Sequence, residues 1–432
     1  MVTTAHRRFV SVPVVATGAD HYIAEAMDTS IAPHDSSPIV ALFARLVAFP
    51  TESLTPNQSL VDWVGEHLSA FGARVSMVPG PAGRANLLAS IGPDTHGGLL
   101  LSGHTDVVPA GTGWTTPAYE LTSAGDRVVG RGSADMKGFI ACVMVALERV
   151  HARTLQRPVH IALSYDEEVG CVGVRGLLDH VRTDPADAVG VHPDIIVIGE
   201  PTMMRPRHAH MGKVAYRLTF TAEAAHSSMS PVLPNAISGA VAVVAALEAI
   251  AEPHRSSANE PGDSAPVTVN VGTIHGGTAL NVLSERCEIT FELRHTTAFD
   301  PDELLVPLWS TVQARATALE AAGSGGIEIV EITRYPALST DTADARVRAI
   351  ERLADRGRCT PIGYGTEGGL FAAAIDAPVV ICGPGDIAVA HRPDEYVSIE
   401  QLQSCLGFLE RLIDEVCVSG DSPVWSAASA AG

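Results

Sequence analysis

Four apolar segments of strand length end in polar or glycine-rich residues and are separated by helical patterns. They are GGLLLSGHTD (97–106), VHIALSYDEE (159–168), PDIIVIGEPT (193–202) and APVVICGPG (377–385). Continuous apolar strands predict a sheet that is covered on both faces. Amphipathic patterns at 37–49 and 57–71, and a mostly apolar one at 136–150, supply candidate covering helices. The pattern therefore predicts an α/β domain with helices flanking a central sheet.

The segment from about 208 to 332 follows a different pattern. Strand-like stretches at 214–224, 267–274, 287–295 and 327–335 accompany two long helical patterns at 234–252 and about 301–321. We interpret this segment as a small α+β domain inserted into the first. The predicted division is an N-terminal extension (1–36), a catalytic domain (37–207 and 333–417), an inserted domain (208–332) and a tail (418–432). Both chain ends are expected to be poorly ordered.

Size and charge narrow the function classes. A chain of 432 residues with 46% hydrophobic residues is long enough for two domains. Its net charge of −20 argues against binding of nucleic acid. No apolar run approaches the roughly 20 residues of a membrane helix, so no membrane partner is expected. Seven scattered cysteines without a Cys-x-x-Cys pair indicate reduced thiols and predict a cytoplasmic protein.

The polar ends of the apolar segments carry His104, Asp106, Glu167, Glu168 and Glu200. In open α/β sheets the ligand site lies beyond the carboxyl ends of the strands. We therefore expect a histidine and several carboxylates to gather at one edge of the sheet. Imidazole nitrogens and carboxylate oxygens are common zinc ligands, so this edge is a candidate metal site.

Each of these groups has a simpler interpretation when it is taken alone. His104 beside Asp106 is compatible with a surface histidine, and Asp135 in GRGSADMKG (130–138) with a helix N-cap. Asp166-Glu167-Glu168 is compatible with a solvated turn, and His391 with an ordinary loop histidine. Taken together, they supply one histidine and one terminal carboxylate for each of two metal ions, with one carboxylate left to bridge them.

Five motifs occur in the order found in the co-catalytic zinc aminoacylase and carboxypeptidase family. They are HTDVVP (104–109), GRGSADMKG (130–138), DEEVG (166–170), GEPT (199–202) and AHRPDEY (390–396). The chain resembles this family from about residue 38 to 417. The resemblance implies a zinc-peptidase-like catalytic domain with a central mixed sheet flanked by helices, plus an inserted α+β lid and dimerisation domain.

The resemblance also implies roles for individual residues. One zinc ion would be bound by His104, Asp135 and Glu200, and a second by Asp135, Glu168 and His391. Asp106 would orient His104, Glu167 would be the general base, and the peptide bond between Asp135 and Met136 would be cis. Cobalt or manganese could replace zinc, because selectivity depends on geometry and availability.

Substrate recognition is predicted on fewer residues. The resemblance implies that His226, in AAHSS (224–228), stabilises the oxyanion in the active site of a partner subunit, which makes a homodimer the expected assembly. Its alternative is a histidine on a lid loop. Arg294 is a candidate to bind a substrate carboxylate through two hydrogen bonds, and Asn281 is a candidate hydrogen-bond partner. Both have a structural alternative, since Arg294 is also compatible with a salt-bridged strand residue. Glu367 is a candidate to face a substrate ammonium, or else a carboxylate at a helix start.

The expected substrate is a small N-acyl amino acid. Within the family, GTEGGLF (365–371) and GPGDIAVAHRPDEY (383–396) resemble the acetylornithine deacetylase branch more than the succinyl-diaminopimelate desuccinylase branch. This implies hydrolysis of N-acetyl-L-ornithine, a step of arginine biosynthesis, by a zinc-activated water. Acetylcitrulline, N-formyl amino acids, succinyl-diaminopimelate and dipeptides fit the same chemistry. A non-catalytic binding protein on the same fold is the alternative from another class.

Overall fold

The computed structural model describes residues 38–183, 191–255, 266–323, 325–419 and 423–426. The predicted extension 1–36 lies outside them. Within the described residues, nine strands form the central sheet. Eight lie in the order Arg74–Pro79, Ala85–Ile91, Val159–Ser164, Leu99–His104, Ile195–Pro201, Val379–Gly383, Arg207–His210 and Leu338–Ser339, and Thr360–Pro361 pairs with Arg207–His210.

The middle of the central sheet is parallel. Leu99–His104 lies between Val159–Ser164 and Ile195–Pro201 and runs parallel to both, and Val379–Gly383 continues the parallel pairing beside Ile195–Pro201. Ala85–Ile91 pairs antiparallel with Val159–Ser164, so the sheet is mixed as expected. The carboxyl ends of the four parallel strands therefore meet at one edge of the sheet.

Alternate residues of these strands enter two different cores. Leu99 and Leu101 pack with the helices Pro38–Val47, Gln58–Ala70, Lys137–Val150 and Ile399–Ile413. Leu100 faces the opposite side, where the helices Val174–Thr183 and Gly368–Ala374 cover the sheet. Because both faces are buried, every residue from Leu99 to His104 has to tolerate burial, which explains the continuous apolar run.

The second sheet has four antiparallel strands in the order Val267–Gly276, Arg286–His295, Gly212–Thr221 and Gly326–Tyr335. The helices Ala236–Arg255 and Pro301–Ala321 pack on it and form a third core. Contrary to the expectation that no apolar run approaches the length of a membrane helix, Ala236–Arg255 is long and apolar enough to cross a membrane by length and composition alone. Its residues Ala240, Val243 and Leu247 are buried in this core, so we interpret it as a core helix.

Shorter elements complete the described residues. They are the sheet of Tyr396–Ser398, Arg127–Val129 and Thr122–Ala124, the pair Ala225–His226 and Val282–Leu283, the 3₁₀ helices Pro81–Gly83 and Ser227–Met229, the helices Ala345–Ala354 and Pro423–Ser426, and the short π-helix Asp414–Val418. The helix Pro423–Ser426 belongs to the tail that was expected to be poorly ordered. Trp425 is fully buried there, and its indole N–H donates to Glu415, so this part of the tail packs on the core.

Candidate metal centre

Three side chains from different elements meet beyond the carboxyl edge of the central sheet. His104 is the last residue of its strand, Glu200 is the penultimate residue of the next strand, and Asp135 precedes the helix Lys137–Val150. His104 Nε2 lies 2.9 Å from Asp135 Oδ1 and 3.9 Å from Glu200 Oε1. All three side chains are buried, and they offer ligand atoms within 4.8 Å of one another. Parallel strand order thus brings together residues that are almost 100 positions apart.

A second group shares Asp135 with the first. His391 Nε2 lies 3.3 Å from Asp135 Oδ2 and 2.9 Å from Glu168 Oε2. The two carboxylate oxygens of Asp135 therefore face different histidines. The peptide bond between Asp135 and Met136 is cis, as the resemblance implied. Met136 rather than Asp135 holds the N-cap position, and no side-chain hydrogen bond caps the helix.

The turn with Glu167 and Glu168 is fixed by two buried aspartates. Asp166 has a positive φ of 54°, accepts the N–H of Leu54 at 2.7 Å and forms an ion pair with Arg84. The carboxylate of Asp106 accepts the N–H groups of Glu167 and Glu168 at 3.0 and 3.3 Å. The acidic turn is therefore anchored by the buried Asp106 and Asp166, with Glu167 and Glu168 partly buried, and these contacts favour a fixed turn over a solvated one.

Asp106 was predicted to orient His104. His104 Nδ1 lies 2.9 Å from the backbone oxygen of Asp106 and 3.6 Å from its carboxylate Oδ1. The hydroxyl of Ser53 also donates to the Asp106 carboxylate, at 2.8 Å. The backbone oxygen is thus the nearer partner of the imidazole, while the carboxylate mainly holds the turn with Glu167 and Glu168.

The two imidazoles lie in a strongly negative environment. Burial opposes protonation of His104, but Asp106, Asp135 and Glu200 outweigh it and hold its pKa well above the usual value. Hydrogen bonds to Asp135 and Glu168 raise the pKa of His391 to about 10. A proton on either imidazole offsets part of the negative charge of these carboxylates. Divalent cations could take over this role, because metal binding displaces protons from its ligands.

The carboxylates of Glu167 and Glu200 are also in an environment that disfavours their ionised form. Burial raises the pKa of Glu167 well above its usual range, and nearby Glu168 and Glu367 raise it further. Burial likewise raises the pKa of Glu200, to which the charge of Asp135 adds. The thiol of Cys171 lies 3.3 Å from Glu167 Oε1 and donates to it. Carboxylates crowded in a dry site repel one another unless a cation or a proton compensates their charge.

The donor set fits two zinc ions. Each group offers one imidazole nitrogen and carboxylate oxygens, which zinc accepts as ligands, and the shared Asp135 suits a bridging position. The residues expected from the sequence as ligands therefore come together in the two predicted groups.

Glu367 lies beneath this centre. Its side chain is 1% exposed and accepts hydrogen bonds from the hydroxyls of Ser164 and, at 3.4 Å, Ser102. Burial raises its pKa to about 7. Glu367 directly precedes the helix Gly368–Ala374, which favours its interpretation as a carboxylate at a helix start.

Arg294 is already paired in this structure. It lies on the strand Arg286–His295, and its Nε donates to Glu292 Oε1 at 2.9 Å. Glu292 also forms an ion pair with Lys213 at 2.9 Å. This arrangement favours the alternative of a salt-bridged strand residue, although about a quarter of the Arg294 side chain is exposed, at 26%.

His226 and Asn281 lie next to each other, apart from the carboxylates described above. His226 pairs with Val282, and the backbone oxygen of Asn281 accepts the N–H of Ser227 at 2.9 Å. His226 is exposed, and its Nδ1 lies 2.9 Å from Ser228 Oγ. Among the described residues, His226 is hydrogen-bonded to Ser228 and pairs with Val282, and no hydrogen bond or ion pair joins it to a candidate metal ligand.

Sequence reasoning missed the residues that hold the loops in place. Arg131 and Glu395 form a buried ion pair at 2.7 Å, and Arg84 pairs with Asp166. Arg131 and Glu395 occur in GRGSADMKG and AHRPDEY, the motifs that also carry Asp135 and His391. Charged residues without an assigned role inside these motifs were the signal that could have identified them.

Comparison with known proteins agrees with this geometry. Residues 100–415 match the model of peptidase family M20/M25/M40. An acetylornithine deacetylase from Photorhabdus laumondii is 31% identical over 395 residues, which cover 89% of this chain and 98% of the relative.

Two solved structures share the fold. The M20 family metallo-carboxypeptidase Sso-CP2 from Sulfolobus solfataricus superposes with a TM-score of 0.70 at 16% identity, over 87% of this chain and 98% of that one. The YXEP protein of Bacillus subtilis, a dinuclear metal binding peptidase, superposes with a TM-score of 0.61 at 14% identity, over 88% of this chain and 97% of that one. The chain therefore belongs to peptidase family M20/M25/M40 and is a metal-dependent hydrolase that acts on amide bonds.

Proposed function

We propose that this protein hydrolyses N-acetyl-L-ornithine to L-ornithine and acetate, as a cytoplasmic enzyme of arginine biosynthesis that uses two zinc ions. One observation carries the metal-dependent part of the proposal. Asp135 faces His104 with one oxygen and His391 with the other, so that two donor groups share a carboxylate. The relatives named acetylornithine deacetylase, which the chain covers almost completely, support the choice of substrate.

The ligands of one zinc ion are proposed to be His104, Asp135 and Glu200, and those of the other Asp135, Glu168 and His391. When bound, the two cations would supply Lewis acidity at the amide oxygen and lower the pKa of a water molecule. Every other part of the mechanism is assigned to side chains of this protein.

Glu167 is proposed to accept the proton of the attacking water and to deliver it to the departing amine. Its carboxylate is buried among the candidate ligands, and burial raises its pKa, which makes it a stronger base than a solvated carboxylate. The thiol of Cys171 donates to one of its oxygens and restricts its orientation. Positioned proton transfer of this kind contributes about 10²–10⁴-fold to a rate.

Arg294 is proposed to bind the carboxylate of the substrate, Asn281 to form a hydrogen bond with the substrate, and Glu367 to face its side-chain ammonium. Arg294 would exchange Glu292 for the substrate, because a guanidinium can bind a carboxylate through two hydrogen bonds. The competing role of Glu367, as a buried carboxylate at a helix start, is supported by its contacts with Ser102 and Ser164.

We further propose that His226 acts in the active site of a partner subunit, where it stabilises the oxyanion. The proposal is supported by its exposure and by exposed apolar neighbours. Leu280 is fully exposed, Met229 is 42% exposed and Val282 is 36% exposed. Exposed apolar side chains close together often mark a protein interface, and a homodimer would cover them.

The reaction is tested with metal-loaded protein and a panel of acetylornithine, acetylcitrulline, formylmethionine, succinyl-diaminopimelate and a dipeptide, with the released amine measured. We expect the highest kcat/KM for acetylornithine and no turnover after chelation. Glu167→Gln should lower kcat about 10²–10⁴-fold and retain the metal. Glu410→Gln, at an exposed carboxylate paired with Arg149, is the control. No turnover of any substrate by metal-loaded protein would favour a non-catalytic binding protein.

The role of Glu367 is tested by substrate choice. If it faces the ammonium, Glu367→Gln raises KM for acetylornithine much more than for acetylmethionine, which lacks that charge. Equal changes in KM for both substrates would assign Glu367 to support of the fold.

The action of His226 in the partner's site is tested by complementation. His226→Ala and Glu167→Gln are each expected to be almost inactive. After joint refolding, about a quarter of the wild-type activity should return, because half of the dimers would be mixed and each would hold one intact site. No recovery in dimers that are shown to be mixed would contradict the proposal.

A further inference from the structure

Arg131 and Glu395 form a buried ion pair that has no part in the proposed reaction. The side chains are 2% and 1% exposed, and Arg131 Nη1 lies 2.7 Å from Glu395 Oε2. Buried ion pairs do not contribute reliably to stability, because desolvation offsets their attraction. A pair buried this deeply beside a cluster of further carboxylates therefore calls for a reason other than stability.

Glu395 is surrounded by donors from the loop that carries Asp135. Its Oε1 accepts the N–H groups of Ala134 at 2.8 Å and Asp135 at 3.0 Å. Its Oε2 accepts the N–H of Gly132 at 3.1 Å in addition to Arg131. Four donors thus meet one carboxylate, and one of them is the backbone N–H of Asp135 itself.

Arg131 extends these contacts to two further loops. Its Nη1 lies 3.3 Å from the backbone oxygen of Arg392, the residue after His391. Its Nη2 lies 3.3 Å from the backbone oxygens of Pro109 and Ala110, which follow the stretch that contains His104 and Asp106. One guanidinium therefore joins the loops that lead to His104, Asp135 and His391.

We propose that the Arg131–Glu395 pair is a positioning unit, which sets Asp135 and His391 in their relative places before any cation binds. This inference rests on the proposed function, because it assigns these two residues to metal binding. Neither Arg131 nor Glu395 needs to touch a metal ion or the substrate. Residues that orient metal ligands typically change metal affinity or activity about 10–100-fold when they are altered.

The variant Glu395→Gln removes the charge at almost constant volume. Each oxygen of the Glu395 carboxylate accepts hydrogen bonds from two donors. In a glutamine, an NH₂ group replaces one of these oxygens, so in either orientation of the amide two donors would face another donor instead of an acceptor. The loop from Gly132 to Asp135 should then lose about half of its anchoring contacts. Asp135 and His391 would remain chemically intact.

Asp194→Asn is the matched control. Asp194 is a buried carboxylate, 4% exposed, that accepts the N–H of Gly98 at 2.8 Å and lies 3.8 Å from Arg157 Nε. It directly precedes the strand Ile195–Pro201 and therefore lies at the opposite edge of the central sheet. It reports the general effect of converting a buried carboxylate to an amide.

Two measurements on the full-length protein test the proposal. The first is zinc affinity and stoichiometry by calorimetric titration. We expect Glu395→Gln to bind zinc about 10–100-fold more weakly and Asp194→Asn to bind it as wild type does. The second is amide hydrogen exchange of metal-free protein. Either the amide of Gly132 or the amides of Ala134 and Asp135 should exchange faster in Glu395→Gln, depending on which donors the glutamine NH₂ group faces, and none of them should exchange faster in Asp194→Asn.

The outcomes separate this inference from the proposed function. Unchanged zinc affinity together with unchanged exchange in Glu395→Gln would overturn the positioning role. If wild-type protein binds no zinc, the metal-dependent function fails, and exchange in metal-free protein still decides whether Glu395 positions the loop. If Glu395→Gln does not fold, Arg131→Lys replaces it. It keeps the charge but loses the fork that reaches Arg392, Pro109 and Ala110, and the same two changes are expected.

Discussion

Acid should weaken the fold at His210, where the chain leaves the central sheet for the second sheet. His210 is 3% exposed, and its Nδ1 lies 3.0 Å from the backbone oxygen of Met211. Its Nε2 lies 3.2 Å from the N–H of Gly369, a donor, so Nε2 has to accept. The imidazole is therefore neutral, with its proton on Nδ1. A second proton would have to bind Nε2, which would then no longer accept the hydrogen bond from the N–H of Gly369.

The magnitude follows from the pKa of this imidazole. Burial lowers it from 6.5 to about 4. Above pH 6.5 the imidazole is neutral in both folded and unfolded protein, and its full contribution to stability is present. As the pH falls from 6.5 to about 4, only the unfolded chain takes up the proton, so stability falls by about 1.4 kcal/mol per pH unit. The total loss is about 3 kcal/mol, of which about 2 kcal/mol is reached by about pH 5.

Urea unfolding of the metal-free protein at about pH 7 and about pH 5 measures this effect. His210→Gln lowers stability at about pH 7, since a glutamine cannot keep both hydrogen bonds with the same geometry, but it removes the titrating group. Between the two pH values, wild type should therefore lose about 2 kcal/mol more than the variant. Equal losses in both proteins would refute the reasoning.

His160 provides an independent second case. It is 5% exposed on the strand Val159–Ser164, its Nδ1 lies 2.7 Å from Ser90 Oγ, and burial lowers its pKa to about 4. His160→Gln should remove a similar share of the acid sensitivity. The double variant should remove the sum of the two, because the histidines share no hydrogen-bond partner.

Substitution of Arg84 by Met should lower the free energy of unfolding by about 3–5 kcal/mol in urea titrations, because Asp166 becomes a buried carboxylate without its partner. Adding Asp166→Asn should restore part of this loss. A double variant as unstable as the single one would contradict this cause. Gly199→Ala would bring a Cβ to 2.0 Å from the ring of Phe139, so we expect the free energy of unfolding to fall by about 1–3 kcal/mol. Because Glu200 adjoins this position, zinc binding should also become weaker. Wild-type zinc affinity in a destabilised variant would show that Glu200 does not move. Zinc at 100 times its Kd should stabilise the fold by about 2.7 kcal/mol per site, measured as a rise in Tm, and an unchanged Tm would argue against cation binding by the folded state.

The sequence predicted the strands whose faces are both buried. The segment 97–106 contains the strand Leu99–His104, and 193–202 contains Ile195–Pro201. A strand that is buried on both faces is a continuous apolar run, which can be identified in the sequence without knowing the neighbouring strands. The strands Arg74–Pro79 and Ala85–Ile91 escaped prediction. The first is an edge strand of mixed burial, and its pairing depends on a neighbour that local pattern does not reveal.

The candidate ligands were predictable for a different reason than their partners. His104 and Glu200 stand at the ends of recognisable strands, and Asp135, Glu168 and His391 lie in motifs with a known order. The contact between Asp106 and the turn with Glu167 was not predictable, because it depends on the register between the strands Leu99–His104 and Val159–Ser164. Sequence assigned the Asp106 carboxylate to His104, whereas the folded chain brings a backbone oxygen closer to that ring.

The order of the candidate ligands along the chain has a consequence for synthesis. His104, Asp135 and Glu200 all precede Gly212, where the second sheet begins, so a nascent chain carries one complete donor group before that sheet is translated. The other donor group, which consists of Asp135, Glu168 and His391, is incomplete until His391 is translated, about 190 residues after Glu200. A ribosome-bound chain that ends shortly after the helix Lys137–Val150 and the strand Ile195–Pro201 would thus hold ligands for a single ion. The second donor group would be complete only after His391 is translated.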